Sequence, residues 1–173
     1  NDIINTIKLK PNMGEVFNKQ ISLFTSSLDL LSTCIQKFDI TWRESVETIC
    51  VMGTALEFIN LGFWPPKLIV QALKLVNLSI SRFMSPNLAL LVEGTRDSSM
   101  QKLGSMLTSK LHDREWEIRD STLEVLHTIA NMSHIKYPSF QNMIIDLELP
   151  SMMITIAMHD SDSYVRASAI KCL

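Results

Sequence analysis

Apolar residues recur along most of this chain at steps of three and four, the spacing that lines one face of an α-helix, and the stretches between such runs are short and polar. From about Glu15, Phe17, Ile21, Phe24, Leu28, Leu31 and Ile35 keep this step, while Glu15, Asn18, Ser22, Asp29 and Gln36 take the opposite side. Residues 1–13, NDIINTIKLKPNM, alternate only weakly and carry Pro11, so they are expected to form an extended or frayed arm ahead of one helical segment over 14–173. TWRE at Thr41 has the capping-box form and opens a second predicted helix, with Trp42, Val46, Ile49, Cys50 and Leu56 inward, that ends at Gly62. Pro65 and Pro66 stand where the first turn of a third helix tolerates them, and Leu68, Ile69, Ala72, Leu73, Val76 and Ile80 form its buried stripe to about Met84. SPN at Ser85 begins a short helix that closes at Gly94.

The second half continues the pattern. A helix over Ser98–Leu111 is predicted to bury Met100, Leu103, Met106, Leu107 and Leu111. The next helix reaches about Ser133 and carries two apolar stripes, Ile118, Val125, Ile129 and Met132 on one side and Trp116, Leu123 and Ala130 on the other, so it must be covered from both sides. Only a narrow polar strip remains on it, made of Glu117, Asp120, Glu124, His127 and Asn131. Asp113 reads as its N-cap, with Glu115 and Glu117 favoured in the first turn by the helix dipole. Phe140 to Leu147 form one further helix, Pro150 begins another, and Asp160 is expected to cap the last as Asp113 caps its counterpart. No stretch reads as a strand, so the expected class is all-α.

Two strings repeat. LHDREWEIRDS from Leu111 and MHDSDSYVRAS from Met158 place His, Asp, an aliphatic-Arg pair and Ser at matching positions 47 residues apart. A helix, a polar turn with Asp, and a second helix with aliphatic-Arg five residues on form a repeat signal. The pattern resembles HEAT and armadillo-like repeats, which implies an α-solenoid, a right-handed stack of antiparallel helix pairs. Asp113, Ile118, Arg119 and Ser121 match once, and Asp160, Val165, Arg166, Ser168 and Ala169 match again. In that family the Arg pairs with an Asp of its own or the neighbouring repeat, so the resemblance implies a ladder of Asp113, Arg119, Asp160 and Arg166. Helices upstream of about residue 97 match in shape alone.

WEIRDSTLEVL at Trp116 and LELPSMMITIAMHDSDSYVRASAIKCL at Leu147 further resemble the BRCA-associated ATM activator family. The resemblance implies a HEAT-repeat scaffold without enzyme activity, linked to the DNA-damage kinase ATM and to the RNA endonuclease subunits of Integrator, in nucleus and cytoplasm. It carries over the repeat skeleton and no partner-contacting residue.

Composition narrows the function classes. The formal charge is -2 and the 16 Lys and Arg form no block, which argues against nucleic acid as a direct partner. Hydrophobic residues make up 46% against 5 Gly and 6 Pro, a balance that suits long helices. Cys34, Cys50 and Cys172 have no CxxC spacing and read as buried free thiols, which fits a reducing compartment. No apolar run approaches the ~20 residues of a membrane span. Trp42, Trp64 and Trp116 read as anchors between helices, and the methionines as core.

A metal-dependent hydrolase built on His112, Asp113, His159 and Asp160 is the reading from another class. It requires two turns on helices spaced ~8–10 Å apart to bring their donor atoms within ~2–2.3 Å of one ion. No cofactor is expected, because the glycines are scattered and no GxSxG, Cys-His or phosphate-loop grouping is present. The expected function is a non-catalytic protein-binding scaffold. Another HEAT-type adaptor, such as a transport receptor or phosphatase scaffold segment, is the alternative. Solenoids bind partners along the face lined by their second helices, which nominates Glu117, Asp120, Glu124 and His127 as the partner face. A chain that opens on Asn and closes on AIKCL is expected to be a piece of a longer one, with Val165, Ile170 and Leu173 meeting further polypeptide.

Overall fold

The computed structural model describes residues 20–38, 40, 51–83, 98–136 and 138–173. The described residues form eight helices and no strands: α1 (Ile21–Lys37), α2 (Val51–Asn60), α3 (Pro66–Phe83), α4 (Ser98–Leu111), α5 (Trp116–Lys136), α6 (Pro138–Asp146), α7 (Leu149–His159) and α8 (Ser163–Cys172). The all-α class expected from the periodicity is the one observed, and the packed helix pairs are consistent with the α-solenoid that the repeat resemblance implied. The arm over 1–13, the Thr41 capping box with Trp42 and Cys50, and the short helix after Ser85 lie outside the described residues. The chain divides into two compact units, residues 1–79 and 80–173.

In the first unit the start and stop signals act where local stereochemistry demands them. Gly62 takes φ +76°, the left-handed conformation open to glycine, and α2 ends just before it. Pro66 opens α3, and Leu68, Ile69, Ala72, Leu73 and Val76 are buried on its inner face. The connection between α2 and α3 is anchored by Trp64, whose ring stacks on Phe58 at 4.4 Å and whose Nε1 donates to the Phe58 carbonyl (3.0 Å). Phe24 of α1 leans on both rings. The indole thus buries its apolar body while its one donor is satisfied, the condition under which Trp is stable in a core.

The second unit is built around α5, which packs against α4, α6 and α8. Ile118, Thr122, Leu123, Val125, Leu126 and Ile129 are all buried, so the helix is covered on several sides, as its two apolar stripes require. Glu117, Glu124 and Asn131 are exposed and mark the remaining polar strip. Thr122 satisfies its buried hydroxyl by donating to the Ile118 carbonyl (2.7 Å). At Gly104 of α4 a side chain would bring its Cβ 2.6 Å from Leu147 and 3.3 Å from Met143, so glycine permits the close approach of α4 to α6 and the turn after it.

The turn between α6 and α7 holds Glu148 at φ 51°, ψ 30°, left-handed backbone that side-chain-bearing residues occupy at a cost of about 1–2 kcal/mol. Replacing Glu148 with Gly should relieve that strain, raising thermal stability by roughly 2–4 °C per kcal/mol recovered. A melting temperature that stays level or falls in the Glu148→Gly protein would show that the turn is held by something other than backbone conformation.

Candidate protein-interaction surface

The two matching strings form the turns that precede α5 and α8, and they fold alike. Asp113 Oδ1 accepts from the Glu115 amide (3.2 Å) and Asp160 Oδ1 from the Asp162 amide (2.9 Å), so each Asp closes a turn on the residue two places ahead. Neither is the N-cap of the helix that follows, although Asp160 is the C-cap of α7. At α8 the N-cap is Asp162, whose Oδ1 accepts from the Tyr164 amide (2.8 Å) and the Val165 amide (3.4 Å). At α5 the carbonyl of Glu115 takes the first helical amides, those of Ile118 and Arg119. The capping expected of Asp113 and Asp160 is therefore displaced by two residues, because each carboxylate is spent on the turn itself.

The paired arginines clamp these turns. Arg119 Nη1 donates to the carbonyls of Asp113 (2.9 Å) and Arg114 (3.0 Å), and Arg166 Nη1 donates to those of Asp160 (2.7 Å) and Ser161 (3.3 Å). Arg119 then reaches into the next turn: its Nε and Nη2 donate to the two oxygens of Asp160, each at 2.7 Å. This is the planar, two-bond match of guanidinium to carboxylate, and both side chains are about nine-tenths buried. Of the ladder residues, Asp113 holds Lys110 (3.3 Å) through its carboxylate and accepts from Arg119 through its carbonyl.

Burial alone would push the Asp160 carboxyl up. The Arg119 hydrogen bonds, the Asp162 amide and the charges of Arg119 and Arg166 together outweigh it and hold the group below the usual carboxylate range.

Beyond that pair, a seam of contacts joins α5 to α8. Trp116 stacks on Tyr164 at 5.7 Å, Ser168 Oγ donates to Asp120 (2.6 Å), Cys172 Sγ donates to the Leu123 carbonyl (3.2 Å), and His127 Nδ1 donates to the Lys171 carbonyl (3.0 Å). Contacts begin at the N-terminal ends of both helices and finish at Lys171 and Cys172 as α5 is followed from Trp116 to His127, so α5 and α8 run in the same direction. Stacked hairpins of one handedness produce that parallel arrangement of second helices. Burial pushes the Cys172 thiol up to about 11, which keeps it protonated and inert near neutral pH. Cys34 and Cys172 are free and half-buried, and Cys50 lies outside the described residues.

The seam divides the expected partner face. Asp120 and His127 are engaged by α8, and His127 Nε2 also accepts from Asn131 (3.0 Å). Glu117 and Glu124 remain exposed. Trp116, read as an anchor between helices, does bridge α5 and α8, at the surface with 38% of its area exposed, and Val165, expected to meet further chain, is already fully buried. Sequence reasoning missed Asp162, whose capping role is local, and Tyr164, and it placed Ser168 only as a repeat position; the contacts of Tyr164 and Ser168 appear once α8 is set beside α5.

The hydrolase reading finds no support in the geometry. Asp160 is committed to Arg119, His112 Nδ1 donates to the Thr108 carbonyl (2.9 Å), and among the described residues no group of three or more His, Cys, Asp or Glu is placed to hold a metal ion. In the first unit a polar groove of about 280 Å³ lies between α1 and α3, lined by Asp29, Ser32, Thr33, Gln36, Gln71, Lys74 and Leu78 and bridged by Gln71 donating to Asp29 (2.9 Å). Among the described residues no helix is long and apolar enough to cross a membrane.

Comparison with protein families decides the lineage. The model described as Integrator complex assembly factor BRAT1 matches residues 14–173, nearly the whole chain. The chain belongs to this family. No individual curated protein matches it. Family membership agrees with the resemblance carried by WEIRDSTLEVL and the Asp160 string, and it extends over α1 to α3, where the sequence offered only shape.

Asp160 generates a pH test. Asp160→Asn leaves Arg119 charged, buried and without its carboxylate, which should cost about 3 kcal/mol at pH 7. Because the folded carboxyl titrates below its unfolded value of about 3.9, the stabilisation is complete above that value and disappears as pH falls through the lowered one. The difference in melting temperature between the native chain and Asp160→Asn should therefore begin to narrow below pH 4 and close as pH falls through the lowered value. A difference of the same size at pH 3 and pH 7 would show that the ion pair does not carry this stabilisation.

Proposed function

We propose that this chain is a non-catalytic scaffold segment of an Integrator assembly factor, binding protein partners through the surface of its second helices. Its partners on this reading are Integrator subunits, with the RNA endonuclease subunits foremost, and the ATM kinase is a further partner in the same proposal, which sets the protein in the nucleus and cytoplasm. Family membership supports the Integrator link. The observation that carries the scaffold reading is the α5 to α8 seam, in which an ion pair, an aromatic stack and three hydrogen bonds fix the register of two hairpins while leaving Glu117 and Glu124 outside. Rigid presentation of a few charges lets a partner bind without ordering the scaffold first. The acidic character of the strip calls for a basic patch on the partner.

Capture of Integrator subunits from nuclear extract by the immobilised chain, compared with a Glu117→Lys, Glu124→Lys variant, tests this. Both positions are exposed, and Lys at Glu117 opposes the helix dipole in the first turn of α5, so the stability should hold within about 1 kcal/mol, while captured endonuclease subunits fall several-fold. Equal capture by both proteins at equal stability would remove this strip from the interface. Leaving Asp120 unaltered matters, because its bond to Ser168 would mix stability into the readout.

A further inference from the structure

At the N-terminal ends of α5 and α8 two aromatic side chains meet at the surface. Trp116 and Tyr164 stack with ring centroids 5.7 Å apart and planes 26° from parallel. Trp116 keeps 38% of its area exposed and Tyr164 68%, whereas Phe140 of the same unit is fully buried. An offset pair of this kind recovers part of the cost of hydrating two rings, yet a large face of Tyr164 stays in water. Packing of a neighbouring hairpin does not close this position. Glu117 is the 47-residue equivalent of Tyr164, and it remains exposed with α8 packed alongside α5. The two rings therefore form a ledge on the face that the stacked helices leave open.

The ledge is framed by acid. Residues 113–120 and 160–166, the two segments that carry the rings, hold six carboxylates against three guanidiniums. Two of the guanidiniums are engaged, Arg119 by Asp160 and the carbonyls of its own turn, and Arg166 by the carbonyls of Asp160 and Ser161. Arg114 is exposed, and so are Glu115 and Glu117, which flank Trp116 in the chain. Asp162, the cap of α8, stands two residues before Tyr164. An electron-rich ring face with exposed carboxylates around it attracts a cation, and a planar guanidinium adds stacking that a lysine ammonium does not offer. A proline-rich segment would use the rings and leave the charge unanswered.

We infer that the ledge of Trp116 and Tyr164 is a binding site for an arginine side chain of a protein partner, its guanidinium stacked on the open ring face and its charge balanced by the acidic frame. The inference rests on the scaffold reading for the partner being a protein, and deepens it by naming the group that is recognised. Arginine meeting Trp and Tyr is the combination in which binding energy concentrates at protein interfaces.

A short capped peptide alternating Arg and Gly, and its Lys and Gly counterpart of equal length, test this on the isotope-labelled chain by NMR titration. The Arg peptide should shift the Trp116 indole and Tyr164 ring signals, with a half-saturation concentration about threefold or more below that of the Lys peptide. Tyr164→Ser should raise that concentration roughly two- to fivefold at unchanged melting temperature, while Tyr164→Phe, which keeps the ring, holds it within about twofold. Equal binding of the Arg and Lys peptides by the native chain would reduce the site to general acidity and overturn the inference. Shifts that bypass both rings, or indifference to Tyr164→Ser, would overturn it as well. Because no Integrator subunit enters these titrations, a ring-directed, Arg-selective response would uphold the site even if subunit capture failed, and its absence would sink the site even if capture succeeded.

Discussion

The bidentate pair of Arg119 with Asp160 is the constraint on which the second unit depends. An arginine buried to this degree is tolerable only if most of its donors are met, and four of its five N–H groups are: two bond to Asp160 and two to the carbonyls of its own turn, with the charge of Asp160 beside it. Nonpolar packing fixes how deeply α8 sinks against α5, but apolar contacts slide at little cost. A planar fork facing a planar carboxylate does not, so the pair sets the register, and the bonds from Ser168 to Asp120 and from His127 to Lys171 follow from it.

That constraint also explains the chemistry the repeated strings withhold. His, Asp and Arg at matching positions have the composition of a catalytic or metal-binding pair of turns. Every carboxylate oxygen of Asp160 is already taken up by Arg119 and the Asp162 amide, which leaves none directed toward a common ion with Asp113. Asp113, Arg119, Asp160 and Arg166 are used to close the two turns, and Arg119 with Asp160 also locks the first hairpin to the second.

Much of this fold was legible because its signals are local. Gly62, Pro66 and the apolar steps of α3 and α4 act within a few residues of themselves, and the described helices begin and end where those residues dictate. The double stripe of α5 likewise announced a helix covered on several sides. The misreadings share one cause, which is that they turn on a neighbour not adjacent in sequence. An Asp that caps a helix and an Asp that closes the turn before it look the same in HDSD, and only the amide each accepts tells them apart. The polar strip of α5 was visible as polar, but that α8 would take Asp120 and His127 and leave Glu117 and Glu124 depended on which side chains α8 brought. The Arg119 to Asp160 contact itself came from family resemblance, since no period or spacing distinguishes it from a bond within one turn.

The direct measurement is a double-mutant cycle at this pair: chemical denaturation of the native chain, Arg119→Met, Asp160→Asn and the double variant. If the two groups act as one lock, the double variant will be far less destabilised than the sum of the single variants, with a coupling of about 2 kcal/mol or more. Single-variant losses that add within about 0.5 kcal/mol would mean that apolar packing alone holds the hairpins together and that the ion pair does not set their register.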